Sequence, residues 1–277
     1  MQLALADRLV DLSSPLVMGI VNVTPDSFSD GGQYACTARA IDHALQLVAD
    51  GAAMVDIGGE STRPGADAVS EAEELARVVP VIEGIRAQSN VIISVDTSKP
   101  VVMAAAVAAG AQLINDVWAL RQPGALAVAA ASRAAVCLMH MQGEPRTMQQ
   151  APDYQDVVVE VAAFLQHRIA DCVAAGISRD RIVVDPGFGF GKNLSHNFQL
   201  LARLNELAGE LPLLAGMSRK SMIGAVTGRD VQGRLAGSVA AAVLAAAQGA
   251  HIIRVHDVAA TVDALAVTMA MLKEKQG

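Results

Sequence analysis

Two chemically distinct sets of side chains stand out along the chain, most of them placed just after a short apolar run. One set offers hydrogen-bond acceptors that suit a heterocycle rich in N–H groups. It consists of Asp56, Asp96, Asn115 and Asp185. The other set offers cationic donors that suit phosphate or diphosphate. It consists of Arg63, Lys220, Arg254 and His256. Together the sets predict a substrate with a donor-rich ring at one end and a phosphoryl group at the other.

The elements that must position these residues alternate in type along the chain. Short runs rich in Val, Ile, Leu and Met are typical of parallel strands that are buried on both faces. The predicted strands span residues 16–23, 54–58, 91–96, 113–117, 135–141, 182–185, 213–216 and 252–255. Segments with helical periodicity lie between them, for example at 36–49, 71–88, 101–108, 156–174 and 233–248.

Eight such units in 277 residues predict an α/β fold, a single (β/α)8 TIM barrel that occupies residues 1–277 as one domain. A doubly wound open sheet also alternates strands and helices, but the strand count and the even spacing favour the barrel. The reactive groups of such barrels lie where strands end and the following loops begin. We therefore expect one mouth lined by Asn22, Asp56, Asp96, Thr97, Asn115, Asp116, His140, Asp185, Ser218, Arg254 and His256.

Three loop segments have compositions that suit a ligand site. Segments 22–32 and 58–65 are polar, are punctuated by Pro and Gly, and are typical of loops that close over a ligand. The glycines of segment 187–192 match neither the P-loop nor the dinucleotide-binding spacing. They instead suggest close approach of backbone to a planar ligand, with Phe188 or Phe190 as a wall.

The composition argues against several classes of function. The net charge of -7 and an aromatic content of 3% argue against nucleic-acid binding. The mean hydropathy of +0.37 is high, yet no stretch reaches about 18 uninterrupted apolar residues, so we expect no membrane span. No secretory signal is expected, and three widely spaced cysteines suit free thiols in a reducing cytoplasm. Zinc-ligand spacing is absent from the sequence, whereas Mg²⁺ held by an amide oxygen and substrate phosphates remains open.

Longer motifs in the chain resemble signatures of the dihydropteroate synthases, the bacterial folate enzymes that sulfonamides inhibit. Segments 18–32 (MGIVNVTPDSFSDGG) and 55–65 (VDIGGESTRPG) resemble the first two signatures of that family. Six shorter motifs follow in the family's order, at 94–97, 114–116, 139–143, 185–192, 218–221 and 254–257. The resemblance spans about the whole chain, without a clear departure from the bacterial pattern.

The resemblance implies an activity and a set of site residues. The implied reaction joins (7,8-dihydropterin-6-yl)methyl diphosphate to 4-aminobenzoate, giving 7,8-dihydropteroate and diphosphate. The implied binding residues for the pterin diphosphate are Thr62, Arg63, Asp96, Asn115, Asp185, Lys220, Arg254 and His256. Of these, the implied catalytic residues are Asp96, Asp185, Lys220, Arg254 and His256. Asn22 would hold Mg²⁺, and the implied pocket for 4-aminobenzoate consists of Phe28, Thr62, Pro64, Phe190 and Ser218. The family also implies a homodimer. The other binding partners that it implies are the two small-molecule substrates, the pterin diphosphate and 4-aminobenzoate.

Two alternative functions stay open at this point. A pterin-binding methyltransferase barrel of the methyltetrahydrofolate type would account for Asp96, Asn115 and Asp185, but it gives no reason for segment 62–64 or the pair Arg254 and His256. A non-catalytic barrel that binds pterin or folate would be marked by loss of a loop or of an anion-binding residue. The sequence shows no such loss.

Overall fold

Ten strands and nine α-helices form in the part of the chain that a computed structural model describes, residues 1–23, 32–61, 68–144, 147–149, 151–207 and 209–274. The strands are β1 (Gln2–Ala4), β2 (Leu9–Asp11), β3 (Leu16–Asn22), β4 (Met54–Gly58), β5 (Ile92–Asp96), β6 (Leu113–Asp116), β7 (Ala135–Met139), β8 (Ile182–Asp185), β9 (Leu214–Ala215) and β10 (Ile252–Val255). The helices are α1 (Gly32–Ala49), α2 (Glu71–Arg86), α3 (Pro100–Ala109), α4 (Ala125–Ala131), α5 (Val157–Ala174), α6 (Leu194–Ala202), α7 (Ser221–Thr227), α8 (Leu235–Ala247) and α9 (Val258–Glu274).

The strands β3 to β10 are parallel and close into a barrel. Their hydrogen-bonded order is β8-β7-β6-β5-β4-β3-β10-β9. The two ends of this order meet where Val184 of β8 bridges Leu213, and the Val184 N–H donates to the Pro212 carbonyl at 2.9 Å. A doubly wound open sheet would keep two free edges. The closure therefore confirms the predicted barrel.

Alternate residues of each strand face opposite sides of the barrel wall. Outward side chains such as Val55 and Ile93 pack beneath the helices in the main apolar core. Inward side chains such as Met18, Met54 and Leu113 form a second apolar cluster in the N-terminal half of the barrel. Polar residues take the inward positions nearer the carboxyl ends, so the interior changes from apolar to polar along the strands.

The antiparallel pair β1–β2 closes the N-terminal end of the barrel. Leu3, Leu5, Val10 and Leu12 of this hairpin are buried in the same cluster as the inward residues of the lower barrel. The Leu12 N–H donates to the Met1 carbonyl at 3.0 Å, which ties the hairpin together at its base. Neither strand of the hairpin was predicted from the sequence, because three-residue strands offer too few alternating positions to be detected.

Local signals explain where several helices begin and end. Ser70 accepts a hydrogen bond from the Glu73 N–H ahead of α2, and Asp156 caps α5 in the same way. Helix α3 begins at Pro100, whose fixed φ suits a first helical position. Helix α5 ends before Gly176, whose φ of +94° lies in the left-handed region that favours glycine.

The predicted elements agree closely with the observed ones. The strands at 54–58, 182–185 and 252–255 are confirmed to the residue, and the other five differ by one or two residues at an end. Helices α4, α6 and α7 were not predicted, and they are only seven to nine residues long. Two turns of helix carry too little periodicity to distinguish them from loops.

Candidate active site

Strand register brings four residues side by side at the carboxyl end of the barrel. Asn22 on β3 pairs with Gly58 on β4, Gly58 pairs with Asp96 on β5, and Asp96 pairs with Asn115 on β6. A Cβ at position 58 would lie 3.9 Å from Asn22 Oδ1 and 3.8 Å from Asp96 Oδ2. Gly58 therefore keeps a small space open between these two oxygens.

Arg254 lies at the centre of the mouth between two carboxylates. Its Nε donates to Asp56 Oδ2 at 2.6 Å, and its Nη2 donates to Asp96 Oδ2 at 2.9 Å. Asn115 Nδ2 donates to the same Asp56 oxygen at 2.9 Å. These residues belong to β4, β5, β6 and β10. The barrel wall itself, rather than any loop, therefore fixes this network.

Burial and mutual charge shift the pKa values of the mouth residues. Burial raises the pKa of Asp96 to about 7, with Arg254 opposing the rise and Asp56 adding to it. Burial lowers the pKa of Lys220 to about 8, against the favourable charge of Asp185. Burial also raises the pKa of Asp185, with Lys220 opposing the rise. For Arg254 the effect of burial is outweighed by Asp56 and Asp96, which hold its pKa above the ordinary value. Among these shifted pKa values, those of Asp96 and Lys220 lie nearest to neutral pH.

The loop after β8 begins at Asp185 and folds back onto the loop after β7. The Gly187 N–H donates to Asp185 Oδ1 at 2.7 Å. A Cβ at Gly187 would lie 1.9 Å from the His140 carbonyl oxygen, and a Cβ at Gly191 would lie 2.5 Å from the Gln142 carbonyl oxygen. These two glycines permit contact between two loops of the protein. At Gly187 and Gly191, the predicted close approach is therefore that of the neighbouring loop rather than of a ligand.

Lys192 is buried inside the same loop and holds it together. Its ammonium lies 2.9 Å from His140 Nδ1 and donates to the carbonyls of Phe190 at 2.9 Å and Gly187 at 3.0 Å. Burial and the neighbouring Lys192 charge lower the pKa of His140 to about 2. The His140 ring is therefore neutral. Burial also lowers the pKa of Lys192 well below its ordinary value, with Asp185 opposing the shift. The carbonyls of Phe190 and Gly187 are the acceptors that hold Nζ in place.

Phe190 forms an apolar side of the mouth. Its ring lies 4.7 Å from Lys220 Nζ, a distance at which a cation and an aromatic face attract each other. The ring packs in a small cluster with Val117, Trp118, Met139, Met141 and Met148. Lys220 Nζ also donates to the Phe188 carbonyl. The Phe188 side chain itself is fully buried in the main core. Of the two phenylalanines predicted as a wall of the site, Phe190 is therefore the one that lies beside Lys220.

Ser218 and His256 meet at another side of the mouth. Ser218 Oγ lies 3.0 Å from His256 Nδ1, and the His256 N–H donates to the same hydroxyl at 3.2 Å. Between Ser218 and Lys220, Arg219 has a φ of +59°, in the left-handed region. Its guanidinium pairs with both carboxylate oxygens of Asp257. This pair ties the loop after β9 to the loop after β10 and fixes the direction of the chain on either side of Arg219.

Three residues predicted to line the mouth stabilise loops instead. Asp116 is fully buried and accepts from the N–H groups two and four residues further on, at 2.9 and 2.7 Å. Thr97 Oγ1 accepts from the Lys99 N–H at 3.3 Å. His140 contacts Lys192 beneath the loop after β8. Asp116 and Thr97 each follow an inward-facing residue, so the strand alternation directs them away from the barrel interior.

Four of the predicted site residues lie outside the described residues. They are Phe28, Thr62, Arg63 and Pro64. At the base of the loop after β4, Lys99 Nζ lies 2.5 Å from carboxylate oxygens of both Glu60 and Glu74. Glu60 also accepts from the Val69 N–H at 3.0 Å. This network could not be predicted from the sequence, because its members belong to different elements and share no spacing.

Two kinds of feature are absent from the described part of the chain. No described helix is long and apolar enough to cross a membrane. Nor do the described residues contain a group of three or more His, Cys, Asp or Glu side chains that could hold a metal ion.

Comparison with known proteins identifies the class to which this barrel belongs. The family model described as "Pterin binding enzyme" matches residues 18–256. The dihydropteroate synthase of Escherichia coli (strain K12) is 56% identical over 268 residues, covering 96% of this chain and 95% of that protein. A solved structure of the Yersinia pestis dihydropteroate synthase with a sulfonamide drug complex has a TM-score of 0.94 at 55% identity, covering 99% of this chain and 100% of its own.

A second solved structure extends the comparison. The Xanthomonas albilineans dihydropteroate synthase with 4-aminobenzoic acid has a TM-score of 0.92 at 57% identity, covering 98% of each chain. The chain described here therefore belongs to the dihydropteroate synthase family of transferases. The motif resemblance in the sequence is confirmed.

Proposed function

We propose that this chain joins (7,8-dihydropterin-6-yl)methyl diphosphate to 4-aminobenzoate, giving 7,8-dihydropteroate and diphosphate in folate biosynthesis. The observation that carries the proposal is the network in which Arg254 lies between Asp56 and Asp96, with Asn115 on the same carboxylate. It brings together acceptors that suit a ring with N–H groups and a cation that suits diphosphate, which supports the proposal. The relative from Xanthomonas albilineans, whose structure contains 4-aminobenzoic acid, supports the second substrate.

In this proposal, hydrogen-bond acceptors on three strands bind the pterin ring. Asp96, Asn115 and Asp185 accept hydrogen bonds from the amino-pyrimidinone edge. The amide of Asn115 already donates to Asp56, so its oxygen is left for the ligand. Lys220 donates to the ring carbonyl and a ring nitrogen. It lies within the mouth beside Phe190, whose ring is 4.7 Å from Nζ.

The diphosphate is bound by cations at the carboxyl end of β10 and by the loop after β4. Two guanidinium nitrogens of Arg254 pair with carboxylates, and its Nη1 makes no hydrogen bond to the described residues. That nitrogen and the His256 ring are the donors we assign to the diphosphate. Thr62 and Arg63 are the other residues that we assign to the diphosphate.

Mg²⁺ fits the oxygens beside Gly58. Asn22 Oδ1 and Asp96 Oδ2 border the space that a side chain at position 58 would fill. Amide and carboxylate oxygens suit this hard cation, which commonly takes its remaining ligands from water and substrate phosphates. Asn22 would hold the ion, which when bound neutralises charge on the departing diphosphate.

Calorimetry of diphosphate binding with and without Mg²⁺ tests this assignment. Asn22→Ala should abolish the gain in diphosphate affinity that Mg²⁺ gives. An unchanged gain in affinity would show that Asn22 does not hold the ion.

The pocket for 4-aminobenzoate is formed by Phe190 and Ser218 together with Phe28, Thr62 and Pro64. Phe190 supplies an apolar face, and the hydroxyl of Ser218 lies beside His256 at 3.0 Å. We expect substitution at Thr62 or Pro64 to change the KM for 4-aminobenzoate while pterin binding stays. Loss of pterin binding instead would show that this loop has a structural role.

The chemistry is displacement at the pterin methylene carbon. A C–N bond forms to the amine of 4-aminobenzoate, the C–O bond to diphosphate breaks, and the amine proton leaves to solvent. An arylamine is neutral at pH 7, so no general base is needed. The electron-rich dihydropterin stabilises positive charge on the methylene, which favours a dissociative route. Asp96 and Asp185 face that charge, while Arg254 and His256 stabilise the leaving group. A secondary isotope effect near unity at the methylene would contradict the dissociative route.

Diphosphate release by the purified protein tests the proposed function directly. The assay contains the pterin diphosphate and Mg²⁺, with 4-aminobenzoate present or omitted. Release that requires 4-aminobenzoate and yields 7,8-dihydropteroate is the expected result. Binding of the pterin without any release would favour a silent binder or a methyltransferase-type barrel.

We also propose that the chain acts as a homodimer. Helices α8 and α9, which pack on each other, expose large apolar side chains. Leu244 is 53% exposed and Val267 is 73% exposed. Exposed apolar side chains of this size are typical of interaction surfaces when they cluster. Light scattering should give about twice the chain mass of 28.7 kDa, and a Val267→Glu variant should lower it. A wild-type mass of one chain would contradict the dimer.

The proposed setting is one pterin-binding barrel domain, residues 1–277, in the cytoplasm. The main core of the described residues draws on all eight barrel strands. All three cysteines are free, and Cys137 and Cys172 are buried, which suits a reducing compartment. Limited proteolysis and cell fractionation test the two statements, since a second stable fragment or an exported protein would contradict them.

A further inference from the structure

Asp56 is the mouth carboxylate to which the proposed reaction gives no ligand contact. It is fully buried and lies one inward position below Gly58 on β4. Its nearest strand neighbours in register are Ile20 on β3 and Ser94 on β5. A carboxylate at such a depth is costly unless strong donors reach it. Two do, and both come from residues that we assign to the substrate.

The contact with Asn115 determines which end of that amide is available. A side-chain amide has one donor end and one acceptor end, and an ionised carboxylate can only accept. Asn115 Nδ2 lies 2.9 Å from Asp56 Oδ2. The amide oxygen is therefore the end left for a ligand. A ring that presents N–H groups needs this orientation, and the opposite one would place donor against donor.

The contact with Arg254 determines the plane of the guanidinium group. Nε donates to Asp56 at 2.6 Å and Nη2 donates to Asp96 at 2.9 Å. Two anchors on different strands hold a planar group in one orientation, and they leave Nη1 for an anion. With Asp96 as its only anchor, the guanidinium could rotate and pair with that carboxylate through two nitrogens. It would then block an acceptor that the ring needs.

We propose that Asp56 is a positioning residue for both halves of the substrate. Through a single oxygen it orients Asn115 toward the ring and Arg254 toward the diphosphate. This inference rests on the proposed function. It predicts that loss of the Asp56 charge weakens recognition of the ring and of the diphosphate together, although Asp56 touches neither.

The main test is Asp56→Asn, which keeps the shape of the side chain and removes its charge. Because two hydrogen bonds to a charged group are altered, kcat/KM for the pterin diphosphate should fall about 10- to 100-fold. Ser94→Ala is the matched control. Ser94 is the register partner of Asp56, is fully buried, and its hydroxyl bonds to none of the described residues. Its kcat/KM should stay within about twofold of wild type.

Non-additive losses in the double variant distinguish positioning of Arg254 by Asp56 from a merely structural role of Asp56. In the Arg254→Ala background, Asp56→Asn should add much less to the loss for the diphosphate-bearing substrate than it costs alone. Binding of the free hydroxymethyl pterin, measured by calorimetry, should still weaken, because the Asn115 half of the effect remains. Fully additive losses, or unchanged kcat/KM in folded Asp56→Asn, would overturn the proposal.

A measurement on the unaltered protein covers the case in which Asp56→Asn does not fold. In nitrogen-15 NMR spectra, one side-chain amide proton of Asn115 should exchange with solvent far more slowly than those of the exposed Asn90. Equally fast exchange would overturn the assigned hydrogen bond. Wild-type turnover is measured first. Failure to form dihydropteroate would contradict the proposed function. Exchange of the Asn115 amide protons would in that case still test whether Asp56 orients the Asn115 side chain.

Discussion

Replacing Gly187 by alanine should damage both the fold and the site through one defined contact. The added Cβ would lie 1.9 Å from the His140 carbonyl oxygen, far inside any permitted distance. The opposing atom is backbone, so it cannot rotate away and the loop itself must move. The φ of +67° adds a conformational cost. Left-handed backbone costs alanine about 1–2 kcal/mol and overpacking about 1–3 kcal/mol, which together predict a loss of about 2–5 kcal/mol in unfolding free energy.

Gly176→Ala is the matched control for this substitution. Gly176 has a φ of +94°, yet nothing lies within 4 Å of the position that a Cβ would take. It should show only the conformational cost, about 1–2 kcal/mol. Urea unfolding followed by circular dichroism measures both variants. The difference between them isolates the contact with His140. Equal losses in the two variants would refute the steric argument.

The same substitution should also affect binding of the pterin. The Gly187 N–H donates to Asp185 Oδ1 at 2.7 Å, so displacement of the loop removes a contact that orients the carboxylate. We expect kcat/KM for the pterin diphosphate to fall by more than about tenfold in Gly187→Ala, since a hydrogen bond to a charged group is lost. Gly176→Ala should keep wild-type kcat/KM. Wild-type kinetics in both variants would show that the loop does not hold Asp185.

Four further predictions follow from the mouth and its loops. The value of kcat/KM for the pterin diphosphate should rise with pH through about 7 and fall above about 8, because Asp96 must be ionised to accept and Lys220 must be charged to donate; a flat profile across this range would contradict both roles. Asp185→Asn should lower pterin affinity by more than about tenfold in calorimetry, because a charged acceptor is lost, and unchanged affinity would remove Asp185 from the site. Arg254→Ala should weaken binding of the diphosphate-bearing substrate far more than binding of free pterin, and equal losses would show that the role is misassigned. Lys192→Met leaves buried carbonyls without their donor and should cost about 1–3 kcal/mol of unfolding free energy; an unchanged urea midpoint would show that the ammonium does not hold the loop.

The barrel and its row of acceptors could be predicted because strand boundaries are legible in this sequence. The runs that end at Asp96 and Asp185 are continuously apolar, so the first polar residue marks the carboxyl end of each strand. The alternation of side chains along a strand also predicts which of two adjacent polar residues faces the barrel interior. Asn115 and Asp116 are adjacent, so they face opposite sides of the wall, and only one of them can line the interior. Treating both as mouth residues ignored this alternation.

Other features had no local signal to predict them. Arg254 and Asp56 are separated by 198 positions in the sequence, and only closure of the barrel brings them to 2.6 Å. The role of Lys192 depends on carbonyl groups, which every residue carries and no sequence pattern reveals. The glycines of the loop after β8 suggested a nearby ligand. The close approach expected there is present at Gly187 and Gly191, but the approaching atoms belong to the loop after β7.

The hairpin of β1 and β2 covers the N-terminal end of the barrel, so the polar residues of the described interior face its carboxyl end. Asn115 and Asp185 are buried, whereas Lys220 and His256 are half-buried, so the cationic side chains lie nearer to solvent than the acceptors. Under the proposed function, both substrates and both products would therefore use the carboxyl end of the barrel.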